Sequence, residues 1–272
     1  MLVLLLIILI IAGLYLLLIL PSRNERMNEF VGIRYAHRGL HDDKVPENSM
    51  AAFRRAVEMG FGIELDVRLS KDGELVVFHD DSFERVIGCH GSTTDYTVAE
   101  LKEMRLFGTE ERIPLLSDVL SMVDGQVPLL IEIKETATEK EVAPEVAMLL
   151  RSYRGPYIVE SFNPLSLGRF AKVNPRVPRG ILSQDYLKYP EYRAPLYFIL
   201  QYLLLNRICR PSFVAFHKNH AKKNISFILC RLLGAATFAW TVKSEEEEKK
   251  AFADGFDTVI FEGYIPGEAT KK

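Results

Sequence analysis

Four short segments of the chain carry side chains that could transfer protons, bind an anion or hold a metal ion. They are His37-Arg38, Glu64-x-Asp66, His79-Asp80 and Glu132-x-Lys134. A histidine side chain titrates near neutral pH and therefore suits proton transfer. Arginine and lysine side chains bind anions with several oxygens, such as phosphate. These residue types predict acid–base chemistry beside an anion-binding group.

Three of the acids are expected to share one metal ion. Strand alternation puts Glu64 and Asp66 on one face of their strand, while apolar residues fill the alternate positions. Both faces are covered in a barrel, so adjacent acids there need a cation or water as partner. Glu132 supplies a third carboxylate. Hard oxygen ligands of this kind favour Mg²⁺ or Ca²⁺, and structural ion pairing is the alternative.

The elements that must bring these segments together are extended runs alternating with helical patterns from residue 31 onward. Such alternation predicts a parallel sheet, and eight units predict a closed (β/α)8 TIM barrel of class α/β. The carboxyl ends of the strands would then meet at one mouth. The predicted runs are Ile33–His37, Gly62–Val67, Leu75–His79, Leu129–Ile133, Tyr157–Ser161, Val177–Leu182, Phe213–Phe216, Ala236–Val242 and Thr258–Phe261.

Nine runs exceed the eight strands of a barrel by one, and Asp72-Gly73 explains the excess. Asp-Gly is a strong hairpin signal, so the third run should fold back on the second as an antiparallel arm. A two-residue turn at Asp72-Gly73 would set Asp66 opposite His79, with Cβ atoms about 5 Å apart.

Composition excludes several classes of protein. The 272 residues are 48% hydrophobic and 26% charged, which is ordinary for a globular domain. The formal net charge of −2 gives no reason to expect a nucleic-acid partner. The three cysteines lack metal-binding spacing and are too few for a disulfide scaffold.

The first twenty residues contain no charged side chain. A helix of that length can cross the ~30 Å hydrocarbon core of a bilayer. A signal peptide is the competing interpretation, but no Lys or Arg precedes the run and no small-residue cleavage site follows it. We therefore predict an uncleaved single-pass anchor at 1–20, a linker at 21–30 and the barrel domain at 31–267. Arg23 and Arg26 follow the anchor, which favours a cell-membrane protein with a cytoplasmic catalytic domain.

A second apolar run, from Ala194 to Pro211, is too short for a membrane span. It is expected to be either a buried barrel helix or a helix lying on the membrane surface near the mouth. In the second case Arg193, Arg207 and Arg210 would lie near the lipid headgroups.

Five segments, taken together and in order, resemble the glycerophosphodiester phosphodiesterase family of the phospholipase C-like phosphodiesterase superfamily. They read AHRGLHDDKVPENSMAAF, GIELDVRLSKDGELVVFHD, IPLLSDVL, LLIEIK and FAWTV. The resemblance implies a (β/α)8 barrel that uses a divalent cation to hydrolyse a glycerophosphodiester to glycerol 3-phosphate and an alcohol.

The resemblance also implies residue roles. His37 and His79 match the family's acid/base pair, with the direction of proton transfer left open, and Glu64, Asp66 and Glu132 match its metal ligands. The remaining matches concern the substrate and the loop after the first strand: Arg38 and Lys134 contact phosphate, Trp240 lies at the pocket mouth, and Glu47 and Asn48 brace the His-Arg loop.

One segment departs from the family pattern. Such proteins often carry a Thr-Asp-x-Pro-like stretch after the last strand, whereas this chain reads Phe261-Glu262-Gly263-Tyr264-Ile265-Pro266. The expected substrate is a soluble glycerophosphodiester. One alternative is a lysophospholipase D-type enzyme acting on membrane lysophospholipids, and another is an inactive membrane-tethered binding module.

Overall fold

Eight parallel strands form a closed barrel in the computed structural model, which describes residues 1–135 and 142–267. The barrel closes because β1 pairs in parallel with both β2 and β9. This confirms the predicted TIM barrel. The strands are β1 Arg34–Ala36, β2 Gly62–Leu69, β3 Leu75–Val77, β4 Leu129–Ile133, β5 Tyr157–Ser161, β6 Arg179–Ser183, β7 Phe213–His217, β8 Ala236–Val242 and β9 Thr258–Phe261.

The short strand β3 is the predicted antiparallel arm on β2, but its register differs from the prediction by one residue. Val67 lies opposite Val77, and the amide of Phe78 donates to the carbonyl of Asp66. The reason is a longer turn, since the amide of Ser70 donates to the carbonyl of Glu74. Asp66 therefore lies opposite Phe78, and His79 follows one position later.

Strand alternation divides the core into two layers. Outward residues such as Ile63, Leu65 and Ile131 pack against the surrounding helices. Inward residues such as Leu130 and Phe213 fill the barrel, together with Met27 and Phe30 from the segment before β1. Burial of apolar side chains on both faces stabilises the strands. The acids of the mouth are inward residues of the same strands.

Ten helices are described around and before the barrel. Side chains at the N-caps of five of them accept backbone hydrogen bonds, namely Ser49, Thr97, Asn163, Asn224 and Ser244. The helices are α1 Leu2–Ile19, α2 Met50–Glu58, α3 Val98–Leu101, α4 Leu116–Val123, α5 Val142–Leu150, α6 Pro164–Val173, α7 Pro195–Gln201, α8 Asn206–Cys209, α9 Ile225–Leu232 and α10 Glu245–Ala253.

Helix α1 is long and apolar enough to cross a membrane, with a mean hydropathy of 3.4, and a signal sequence would meet the same criterion. Only Ile19 of this helix is fully buried. The following residues contain a 3-10 helix at Glu25–Glu29, capped by the Asn24 side chain. They lead from α1 to the apolar filling of the barrel.

The apolar run from Ala194 to Pro211 does not form one helix. It divides into α7 and α8, separated by a turn in which Leu203 has a left-handed φ of 57°. Leu203 and Cys209 are buried, whereas Leu196 and Phe198 are about half exposed. The run is thus partly a buried connection and partly an exposed apolar surface.

Candidate active site

The His-Arg loop directly follows β1 and has an unusual backbone. Arg38 and Gly39 have positive φ values of 54° and 80°. A Cβ atom at Gly39 would lie 2.9 Å from side-chain atoms of Ala52 and Phe53, so a glycine is required by both conformation and space. The amide of Asn48 donates to the carbonyl of Arg38 at 2.8 Å, so Asn48 contacts the His-Arg loop through its backbone.

Glu64, Asp66 and Glu132 meet at the carboxyl ends of β2 and β4. One carboxylate oxygen from each lies within 4.8 Å of the others, and all three side chains are buried. The amide of Arg38 donates to Glu64 Oε2 at 2.8 Å, and Asn48 Nδ2 donates to Asp66 Oδ2 at 2.8 Å. The structure therefore brings the three predicted acids to one point.

Crowding of these acids separates their pKa values. Burial, followed by repulsion from Asp66 and Glu132, raises the pKa of Glu64 well above its usual range. Burial raises the pKa of Glu132 to about 7, although Lys134 opposes the shift. Burial would also raise the pKa of Asp66, but the charges of Lys134, His79 and Arg38 lower it well below its usual range.

The two predicted cations lie against this cluster. Lys134 Nζ is 2.8 Å from Glu132 Oε1 and 3.2 Å from Asp66 Oδ1. Arg38 Nη1 donates to Glu47 Oε1 at 2.7 Å, and its Nε lies 3.5 Å from Asp66 Oδ2. Burial lowers the pKa of Lys134, but Asp66 and Glu132 outweigh it and keep the pKa above its ordinary value. Both side chains therefore remain charged.

The acid cluster fits a hard divalent cation. Its donors are carboxylate oxygens, the ligand type that Mg²⁺ and Ca²⁺ prefer. Asp66 Oδ1 is completely buried, and its contact among the described residues is the ion pair with Lys134 at 3.2 Å. Two carboxyls, those of Glu64 and Glu132, carry raised pKa values because burial, and after it repulsion from neighbouring acids, disfavours their charged forms. A dication would supply the missing positive charge.

Each predicted catalytic histidine has a carboxylate on its Nδ1 atom. His37 Nδ1 lies 2.7 Å from Glu262 Oε2, and His79 Nδ1 lies 2.6 Å from Asp80 Oδ1. A carboxylate at Nδ1 favours a proton there, which leaves Nε2 as the atom available for proton transfer. Burial lowers the pKa of His37 to about 4, although the hydrogen bond that His37 donates to Glu262 opposes the shift. Burial also lowers the pKa of His79, against the charge of Asp66.

A cavity of about 920 Å³ opens beside His79, Glu132 and Lys134. Its lining also includes an apolar wall formed by Phe162, Leu165, Leu196, Tyr197, Leu200 and Leu205. Trp240 lies next to this wall, because its ring contacts the Phe162 ring edge-on at a centroid distance of 5.5 Å. The indole Nε1 is buried and makes no hydrogen bond to the described residues.

Two acids, Glu262 and Glu160, were not placed at the site by the sequence analysis. Glu262 was recognised only as a departure from a motif, yet it is the partner of His37. Glu160 on β5 lies opposite Glu132 and is buried, and its pKa is raised well above the usual range by burial and by repulsion from Glu132. The pattern Glu-Ser at the end of β5 was an available signal, since the residue shares the inward face of its strand.

His41 lies in the loop after β1, and its ring is close to His37 and Glu262. One potential ligand atom from each of the three lies within 4.8 Å of the others. His41 precedes a turn in which Asp42 accepts hydrogen bonds from the amides of Lys44 and Val45. The loop therefore adds a polar group to the outer side of the His37–Glu262 pair.

Comparison with known sequences gives one family. Residues 37–263 match the model of the glycerophosphoryl diester phosphodiesterase family. A glycerophosphodiester phosphodiesterase of Caldanaerobacter subterraneus subsp. tengcongensis is 34% identical over 237 residues, covering 83% of this chain and 91% of that protein. A lysophospholipase D of Rattus norvegicus is 24% identical over 282 residues, covering 90% of this chain and 88% of that protein.

Solved structures share the barrel. An Oleispira antarctica phosphodiesterase, solved with the product sn-glycerol-3-phosphate, matches with a TM-score of 0.71 and 24% identity, covering 86% of this chain and 94% of that one. A glycerophosphodiester phosphodiesterase from Thermotoga maritima matches with a TM-score of 0.64 and 29% identity, covering 84% of this chain and 94% of that one.

Proposed function

The chain belongs to the glycerophosphoryl diester phosphodiesterase family, and from this membership we propose that it hydrolyses glycerophosphodiesters to glycerol 3-phosphate and an alcohol. Membership confirms the resemblance that the sequence motifs indicated. The observation that carries the proposal is the meeting of three buried carboxylates, two cations and two histidine–carboxylate pairs at the mouth of one barrel.

We assign the divalent cation, Mg²⁺ or Ca²⁺, to Glu64, Asp66 and Glu132. When bound, such an ion polarises a phosphoryl oxygen and stabilises the charge that develops on it. The chain's own contribution is to hold the three carboxylates together. Hydrogen bonds from the Arg38 amide and the Asn48 amide group fix two of them before any ion arrives.

Arg38 and Lys134 are proposed to bind the phosphate. Both are charged, both border the acid cluster, and both are mostly buried, so water screens them weakly. Positive charge placed in advance around the phosphoryl oxygens stabilises the transition state without reorganisation. Trp240, next to Phe162, is proposed to bound the pocket where the rest of the substrate lies.

His37 and His79 are proposed to transfer the protons. The pKa of His37 is strongly lowered, to about 4, so its ring is neutral at physiological pH. It can therefore accept a proton from the nucleophile. Burial lowers the pKa of His79 as well, but this side chain is 31% exposed against 18% for His37, and Asp66 favours its charged form. We therefore assign His79 to protonation of the leaving alcohol.

The direct test is release of glycerol 3-phosphate from glycerophosphocholine by the purified full chain. Activity should be lost in EDTA and should return with excess Mg²⁺ or Ca²⁺. Glu64→Gln and Glu132→Gln should reduce activity by about 10²-fold or more, because each removes a charged ligand, while Glu103→Gln on the surface should leave it unchanged.

Activity that persists in EDTA would contradict the metal assignment. Full ligand binding without turnover would instead indicate the binding module.

A lysophospholipid is the second candidate substrate. The apolar wall of the 920 Å³ cavity favours it, because such a surface suits an acyl chain and is not needed by a small water-soluble diester. The similarity to a lysophospholipase D of Rattus norvegicus adds support. Comparing turnover of lysophosphatidylcholine with that of glycerophosphocholine under equal conditions decides between the two.

We propose that α1 anchors the protein in the cell membrane, with the barrel domain, residues 31–267, on the cytoplasmic side. Its length and hydropathy support a membrane span, and Arg23 and Arg26 follow it directly. Protease accessibility of the barrel in intact cells and in inverted vesicles tests the orientation.

A further inference from the structure

The direction in which α1 packs against the barrel determines on which side a membrane would lie. Helix α9 follows β7 and precedes β8, so it begins at the mouth and ends at the far end of the barrel. The Tyr15 hydroxyl lies 2.6 Å from the Ser226 hydroxyl near the start of α9, and the Cys230 thiol donates to the carbonyl of Ile19 one turn later. The two helices therefore run in the same direction.

The chain then continues to the far end of the barrel. The amide of Ser22 donates to the carbonyl of Pro211, just before β7 begins, and Asn24 Nδ2 donates to the carbonyl of Arg176, just before β6. Residues 15–24 thus descend along the outside of the barrel from mouth to far end. The residues before Tyr15 consequently project beyond the mouth.

The projecting part is too short to cross a bilayer by itself. Thirteen residues, Leu2–Leu14, lie before the contact with α9, and at 1.5 Å per residue they span about 20 Å. A hydrocarbon core of ~30 Å leaves about 10 Å to be crossed by residues 15–20. Those residues lie beside α9, so a bilayer that contains all of α1 must reach the rim of the mouth.

The rim beside α1 has the composition of a membrane interface. The segment from 184 to 202 contains five of the chain's 11 tyrosines, and all of them except the buried Tyr186 are partly exposed. Tyrosine concentrates at headgroup level. Leu187, Phe198 and Ile225 are each about half exposed on this rim. The cations that could contact headgroups are Lys188, Arg193 and Lys223.

We propose that the mouth of the barrel faces the bilayer, with the rim formed by residues 184–202 and the start of α9 immersed in the headgroup layer. This inference rests on the proposed function. It names the substrate class as single-chain phosphodiester lipids that enter the cavity from the membrane. The phosphate would then lie at Arg38 and Lys134, and the acyl chain along the wall that contains Leu165, Leu196 and Leu200.

Fluorescent labels at single exposed cysteines test the orientation, since Cys209 and Cys230 are buried. Phe198→Cys and Ile225→Cys place labels on the rim, and Ser152→Cys places one on the exposed turn at the far end, all in a Cys89→Ser background because Cys89 is exposed. The full chain is reconstituted in phosphatidylethanolamine–phosphatidylglycerol vesicles that contain nitroxide-labelled lipids. We expect strong quenching at both rim positions and little at the far end. Equal quenching at all three positions, or stronger quenching at Ser152→Cys, overturns the proposal.

Activity provides the second measurement. Leu187→Ser combined with Phe198→Ser should slow hydrolysis of lysophosphatidylcholine in vesicles about fivefold, because the rim then enters the bilayer less readily. The matched control combines Met148→Ser with Leu232→Ser, two exposed apolar residues toward the far end of their helices. It should leave vesicle activity unchanged, and equal losses in both pairs would overturn the proposal.

Turnover of glycerophosphocholine in detergent should persist in every variant, and its absence in the unmodified chain would contradict the proposed function alone.

Discussion

The two histidines of the mouth form the same kind of pair in different surroundings. His37 bonds to Glu262, which lies 225 positions away in sequence and meets it because β1 and β9 are neighbours. His79 bonds to the adjacent Asp80. The first ring is the more buried of the two, and its pKa is lowered to about 4. Similar dyads can therefore have different proton affinities when their burial differs.

The partners of the two histidines differ as well. Asp80 accepts hydrogen bonds from Arg85 at 2.7 and 2.9 Å, and Arg85 also donates twice to Glu47, which holds Arg38. His79 is thus connected to the proposed phosphate-binding arginine. Among the described residues, the other ion-pair contact of Glu262 is Lys243 at 3.5 Å. Under the proposed roles, this network links proton delivery at His79 to phosphate binding at Arg38.

The largest effect on activity is expected from removing either histidine, and the choice of substrate should separate the proposed base from the proposed acid. His37→Ala and His79→Ala should each lower kcat by about 10³-fold with glycerophosphocholine, because each removes a proton-transfer group. With a p-nitrophenyl phosphodiester, whose leaving group needs no proton, His79→Ala should recover most of its activity and His37→Ala should not. Recovery of His37→Ala instead would reverse the assignment of acid and base.

Removing the partner carboxylates should have a smaller effect. Glu262→Gln and Asp80→Asn keep the shape of each pair but weaken the preference for a proton on Nδ1. We expect each to lower kcat about 10- to 100-fold with little change in KM. The surface variant Glu103→Gln serves as control, and a loss confined to KM would show that these acids act on binding and not on the histidines.

The pH profile of kcat/KM should distinguish the same two variants. Activity should fall as pH decreases through the pKa of His37, about 4, because the base becomes protonated. It should fall as pH increases through the pKa of His79, because the acid loses its proton. Each partner carboxylate raises the pKa of its histidine, so Glu262→Gln should move the acid limb to lower pH. Asp80→Asn should move the alkaline limb to lower pH. Movement of the opposite limb in either variant would contradict the assignment.

The smallest effect is expected at Arg85, which joins Asp80 to Glu47 but is 46% exposed. Because solvent screens such a pair, Arg85→Ala should cost about 1 kcal/mol or less in unfolding free energy, with kcat reduced less than about fivefold. Arg105→Ala removes a comparable exposed pair with Glu110, far from the histidines. Equal effects on kcat in the two variants would show that the link between His79 and Arg38 has no catalytic importance.

Several features were predictable because they depend on local pattern. The period-2 alternation of Glu64 and Asp66 identified the inward face of β2, and Asp72-Gly73 identified the arm. The register of that arm was not predictable, because it depends on the turn conformation. The hydroxyl of Ser70 donates to Asp72 and accepts from the amide of Glu74, and this pattern adds one residue to the loop.

By itself the sequence determined the class of the barrel, the residue types available at its mouth and the family, since strand period, turn residues and motifs are properties of short segments. Only the tertiary structure decided that Glu262 pairs with His37, that Glu160 lies beside Glu132 and that α1 runs past the mouth. Each of these depends on which distant segments become neighbours when the barrel closes. That closure depends on burial of the whole core.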